Sequence, residues 1–149
     1  MKICYIELGT NEPTDNNLSL ARCYLSSAFD DIQFSTIYAT QSVDFIISCT
    51  FYNQTARIVT DLPKEIILQK LKAIEKRFGR KPEDKKKGIV KIDIDLLTYD
   101  GEVLKVNDWK REYVCQGVME LSWHTYSIWC MYYSNISSKP IYSSVGASS

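Results

Sequence analysis

The sequence has one histidine, His124, and no Cys-x-x-Cys spacing, so a structural zinc site is not expected. Its five cysteines (Cys4, Cys23, Cys49, Cys115, Cys130) are an odd, scattered set rather than a disulfide framework. Cys4 and Cys49 fall in apolar stretches, where a free thiol packs as a small hydrophobe. Neither G-x-x-x-x-G-K-[ST] nor G-x-G-x-x-G occurs, which leaves a P-loop or Rossmann site unsupported. A lone histidine without a nucleophile elbow gives little support to a hydrolase triad. Charge of one sign is also lacking. The 18 cationic and 18 acidic side chains cancel, so no global field draws the protein to nucleic acid or to an anionic membrane. Apolar runs are strand-sized, short of the roughly 20 residues that span a bilayer. The N-terminus has no signal-peptide pattern, and a cytoplasmic location is the expectation.

What is present is 149 residues of ordinary globular composition, enough for one domain with a real core. Ile3 to Leu8 alternates as a strand, with Cys4, Ile6 and Leu8 on one face and Ile3, Tyr5 and Glu7 on the other. Gly9-Thr10-Asn11 breaks it. Leu18, Ala21, Leu25 and Ala28 recur at helical spacing and predict a helix from Asp15 to Phe29, capped by Thr14 or Asp15. Strands are predicted over Gln33–Thr40 and Phe45–Thr60. Asp61-Leu62-Pro63 opens a second helix striped by Ile67, Leu71, Ile74 and Phe78, and Gly79 ends it. A charged loop, Arg80 to Lys87, leads to a strand over Ile89–Leu97.

Strand, helix, strand, strand, helix, strand is the split βαβ arrangement: an α+β, ferredoxin-like core of antiparallel sheet with two helices on one face and the other face open. The core is expected over about residues 1–104, a further segment over 105–133, and a poorly ordered serine-rich tail over 134–149. Periodicity weakens beyond Asp100-Gly101, where Tyr113 to Leu121 reads as strand or helix.

In the last core strand Val90, Ile92, Ile94 and Leu96 point toward the helix-covered core, leaving Lys91, Asp93 and Asp95 on the open face. Two carboxylates at i and i+2 stand about 7 Å apart. That suits magnesium, which takes one or two carboxylates with substrate phosphates and waters; a solvated polar strand face is the plainer reading. Phe51 and Asn53 share a face on the third strand. An exposed ring can stack on a planar heterocycle and an amide can match its polar edge; ordinary packing is again the alternative. Arg80 with Lys85, Lys86 and Lys87 is either a solvated turn or a set of cations for a polyphosphate.

In series, Leu8-Gly9-Thr10-Asn11, Ile37-Tyr38-Ala39-Thr40, Phe51-x-Asn53, Ile74-Glu75-x-x-x-Gly79-Arg80 and Ile92-Asp93-Ile94-Asp95-Leu96-Leu97 resemble the 6-hydroxymethyl-7,8-dihydropterin pyrophosphokinase family of folate synthesis, over about residues 3 to 104. The resemblance implies transfer of pyrophosphate from ATP to the pterin's hydroxymethyl group, with release of AMP. It implies magnesium on Asp93 and Asp95, pterin contacts from Phe51, Asn53 and Thr10, and ATP contacts from Glu75, Arg80, Lys87 and Lys91. Arg80 would act in a mobile catalytic loop. The partners it implies are ATP and a pterin, in a monomer or weak homodimer.

The sequence departs from that pattern at Val90, where the family carries an arginine; Lys91 and Lys87 are the nearest cations. The family's Pro-x-Gly loop is not visible in Gln41-Ser42-Val43-Asp44. Its Pro-His and Arg-Gly-Phe have no convincing match between Trp109 and Leu121, where Tyr113 and Arg111 are candidate substitutes. A binding module derived from the family, and a plain ferredoxin-like interaction domain, are the competing expectations.

Overall fold

The computed structural model describes residues 1–12, 16–42 and 49–122. The elements run β1 (Lys2–Thr10), α1 (Asn16–Ala28), β2 (Asp31–Ser42), β3 (Cys49–Thr60), α2 (Lys64–Arg77), α3 (Pro82–Lys86), β4 (Asp93–Tyr99), β5 (Glu102–Val103), α4 (Val106–Trp109) and α5 (Glu112–Leu121). The sheet is antiparallel in the order β2-β3-β1-β4-β5. The expected α+β arrangement is therefore present, extended by one short edge strand.

Alternation along β1 divides the molecule. Cys4, Ile6 and Leu8 are fully buried against Leu18, Ala21 and Leu25 of α1 and Ile67, Leu71 and Ile74 of α2. Both crossover helices thus cover one sheet face, as their apolar stripes require. Gly79 ends the α2 region with φ +67°, a left-handed conformation that costs a residue with a Cβ more than glycine. Pro63 stands at the N-cap of α2 rather than inside its first turn.

The other sheet face is not wholly open, which corrects the sequence reading. Trp109 of α4 and Val114, Cys115 and Val118 of α5 form a second core with Tyr5 of β1 and Leu97 of β4. The segment beyond residue 104 carries this cover, and the stretch left as strand or helix is the helix α5. Gly117 lets α5 approach β3 closely: a Cβ there would lie 2.2 Å from Thr55 Oγ1. The covered end of the face leaves a cleft at the other.

Three boundaries also differ from expectation. β1 continues through Gly9 and Thr10, because both pair with β3. β4 starts at Asp93 rather than Ile89. Residues before it are held by other bonds: the Val90 carbonyl accepts from Asn11 N at 3.1 Å and Thr10 Oγ1 at 3.0 Å. Val90 is half-buried and stands apart from the core residues that Ile92, Ile94 and Leu96 join. The charged loop contains the one-turn helix α3, started by Pro82 and fixed by Asp84, whose Oδ2 accepts from Lys81 N at 2.9 Å. The capping residues expected for α1, the start of the strand expected from Phe45, and the 134–149 tail lie outside the described residues.

Candidate active site

Gly9 of β1 is the floor of the cleft. In the ladders it faces Asn53 on β3 and Asp93 on β4. Two residues along the strand, Glu7 faces Thr55 and Asp95. The period of two thus brings Asn53, Asp93, Asp95 and Glu7 onto one sheet face, from three strands distant in sequence. Phe51, two before Asn53, lines the same cleft, which encloses about 270 Å³. The ring-and-amide pair and the two acids, read separately from the sequence, converge.

Each acid already holds a cation. Lys105 Nζ lies 2.7 Å from Asp95 Oδ1, and Arg80 lies 3.8 Å from Asp93 Oδ1. Both acids remain around two-fifths exposed, so these are accessible ion pairs rather than buried ones. Burial pushes the Asp93 carboxyl above its ordinary range, against the opposing pull of Arg80. Its bond to Asp95 raises the Lys105 ammonium. Among the described residues no group of three or more His, Cys, Asp or Glu is arranged to hold a metal. A two-carboxylate donor set that attracts cations fits magnesium, whose other ligands come from water and phosphate.

Asn53 is buried, and its amide nitrogen donates to Tyr38 O at 3.1 Å and Thr40 Oγ1 at 2.9 Å. Those two bonds fix the amide and give its Oδ1 a set direction. From the covered end, Arg111 and Tyr113 at the start of α5 line the same cleft. Arg111 pairs with Asp108 at 3.2 Å.

The remaining residues singled out from the sequence are held elsewhere. Thr10 is buried and bonded to the Val90 carbonyl. Lys91 does not join Asp93 and Asp95. Its ammonium turns to Gly79 O at 3.3 Å and Asp84 Oδ2 at 3.7 Å, because the chain at residue 91 has not yet entered the sheet. Lys87 is exposed at the end of α3. Glu75 accepts from Ile94 N at 2.8 Å and pairs with Lys72 at 2.8 Å. It therefore occupies the backbone donor on the outer edge of β4, between the two acids.

Two residues of the site escaped sequence reasoning. Lys105 comes from the β5–α4 connection, and no periodic signal marks it. Glu7 had one: a charged residue in a strand that is otherwise apolar. Its Oε2 accepts from Thr55 Oγ1 at 2.6 Å, while its Oε1 is buried without a partner among the described residues. Burial pushes the carboxyl up to about 8.

Comparison with known proteins points to one family. The family model for 7,8-dihydro-6-hydroxymethylpterin-pyrophosphokinase matches residues 5–123. A 2-amino-4-hydroxy-6-hydroxymethyldihydropteridine pyrophosphokinase of Aquifex aeolicus is 33% identical over 106 residues, covering 70% of this chain and 66% of the relative. The folic acid synthesis protein FOL1 of Dictyostelium discoideum is 34% identical over 73 residues, 44% of this chain and 11% of that protein. The chain thus spans just under two thirds of the first relative and a small part of the second. Among the described residues no helix is long and apolar enough to cross a membrane.

Proposed function

The chain belongs to the 7,8-dihydro-6-hydroxymethylpterin-pyrophosphokinase family, and on that premise we propose that it transfers pyrophosphate from ATP to the hydroxymethyl group of 6-hydroxymethyl-7,8-dihydropterin, releasing AMP. The observation that carries this reading is the convergence of Phe51 and Asn53 with Asp93 and Asp95 in one cleft.

In this reading Phe51 stacks on the pterin, with Tyr113 offering a ring from α5. Asn53, its nitrogen already committed, turns Oδ1 to a ring N–H. Asp93 and Asp95 would hold magnesium, which would supply charge neutralisation at the transferring phosphates. Arg80, exposed on the turn before α3, leaves Asp93 to reach phosphate oxygens, and Arg111 approaches from α5. Glu75 is a positioning residue: its bond to Ile94 N fixes the strand edge between the two acids. Lys91 supports the turn that carries Arg80 through Gly79 O, Thr10 holds the Val90 carbonyl, and the exposed Lys87 keeps its expected phosphate contact. A cleft of about 270 Å³ suits one small ring system, and the nucleotide extends past its mouth toward Arg80.

The test is AMP formation from ATP, magnesium and the pterin alcohol. Turnover abolished by chelation and by Asp95→Ala is the expected result. Pterin or nucleotide binding without AMP would replace the enzyme reading with a binding module. No ligand binding at all would leave only an interaction domain.

A further inference from the structure

Glu7 is a buried carboxyl that the proposed transfer does not use. It sits on the central strand and is nine-tenths buried, beneath a cleft whose other acids are accessible. One oxygen is satisfied by Thr55 Oγ1 and the other has no partner among the described residues. A buried polar atom without a partner costs stability, and native proteins tolerate few of them. Apolar residues pack along the same face at Tyr5, Leu97 and Val114, so leucine would have suited position 7 without that cost. The acid needs a reason.

The register supplies one. A ring lying over Gly9 has Asn53 on one side and Asp93 on the other. Glu7 stands two residues along β1, about 7 Å away by the rise of a strand. It closes the end of the cleft beneath Tyr113 and Val114, both of which line it. A carboxyl at that end would meet the ring edge-on, opposite Phe51.

We propose that Glu7 is a specificity-determining residue whose carboxyl hydrogen-bonds to the polar edge of the bound heterocycle, completing with Asn53 a two-point reading of the ring. The proposal rests on the pterin reading of the cleft. Glu7 makes the bond in the ground-state complex, so it acts on affinity for the ring and not on the nucleotide.

Calorimetric titration of 6-hydroxymethyl-7,8-dihydropterin and, separately, of a non-hydrolysable ATP analogue tests it on the full chain. Glu7→Leu removes the oxygen while keeping the volume, and it is expected to weaken pterin binding about tenfold. Its affinity for the ATP analogue should stay within twofold, and its melting temperature should match or exceed the parent's. Glu7→Gln, which keeps a hydrogen-bonding oxygen, should hold pterin affinity within about threefold. If Glu7→Leu fails to fold, Glu7→Ala is read in the same way. Equal pterin affinity in parent and Glu7→Leu overturns the proposal while leaving the pterin reading intact. Parallel losses of pterin affinity, ATP-analogue affinity and melting temperature would make Glu7 purely structural. A parent that binds the ATP analogue but no pterin ends both readings.

Discussion

Lys105 Nζ stands 2.7 Å from Asp95 Oδ1, so the acid proposed to hold magnesium already has a cation on it. Any divalent ion that binds Asp95 must displace or share that ammonium. The pair is well exposed, and such pairs contribute at most about 1 kcal/mol. Lys105→Ala is therefore expected to tighten magnesium binding about two- to fivefold in the presence of an ATP analogue. Calorimetric metal titration of parent and variant checks this; unchanged or weaker binding would mean that Lys105 does not compete at Asp95.

The two acids should be unequal to their amides by a wide margin. Asp93→Asn and Asp95→Asn keep the shape of the strand but remove the charges that attract a hard cation. Charge stabilisation of a transferring phosphoryl group is commonly worth 10²-fold or more in rate. Each variant is expected to lose at least about 100-fold in AMP formation with little change in melting temperature. A variant retaining a tenth of parental turnover would remove that acid from the metal site.

How much of this was legible beforehand depends on how each residue is placed. Asp93 and Asp95 were readable because strand alternation fixes their face whatever surrounds them, and Ile92, Ile94 and Leu96 confirm the phase by their burial. Phe51 and Asn53 were readable for the same reason. Their meeting with the acids follows from β1 pairing with both β3 and β4, which the ferredoxin-like order implies. The α4–α5 cover was not readable. Its helices are short, and their apolar face is completed by Tyr5 and Leu97 from far along the chain. Lys91 leaves the face of the acids because alternation does not extend back past Asp93: Val90 is held by the Thr10 hydroxyl and by Asn11 rather than by ladder pairing. Glu7 lies on the face that alternation assigns it, and only the structure reveals that one of its oxygens has no partner among the described residues.

That cover is also where the fold is most sensitive. A Cβ at Gly117 would lie 2.2 Å from Thr55 Oγ1 and 2.6 Å from Thr55 Cβ, so α5 or β3 must move. Overpacking of this kind typically costs about 1–3 kcal/mol. Gly117→Ala is expected to lower the melting temperature by roughly 2–12 °C, at about 2–4 °C per kcal/mol for a chain of this size. Because Thr55 is the partner of Glu7, the displacement should also weaken pterin binding. Thermal unfolding and pterin titration read the two effects; an unchanged melting temperature would show that α5 does not press on β3 so closely.

The Glu7 carboxyl gives stability a pH dependence whose sign can be fixed. Burial is the main cause of its shift from 4.5 to about 8, with the bond from Thr55 opposing it and the charges of Asp108 and Asp95 adding to it. Between those values the folded chain keeps a proton that the unfolded chain has released, so raising the pH favours unfolding. The stabilising proton is fully effective below about 4.5, loses effect progressively toward 8, and has none left above it. One group changes stability by at most about 1.4 kcal/mol per pH unit. Other groups, among them Asp93 with its raised carboxyl, titrate in the same experiment. The difference between parent and Glu7→Gln cancels those that the substitution leaves untouched. That difference is expected to grow in favour of Glu7→Gln from pH 5 to pH 8 and to level off beyond. Denaturant unfolding of both proteins at each pH measures it, and parallel curves across the window would mean that Glu7 is ionised in the folded protein.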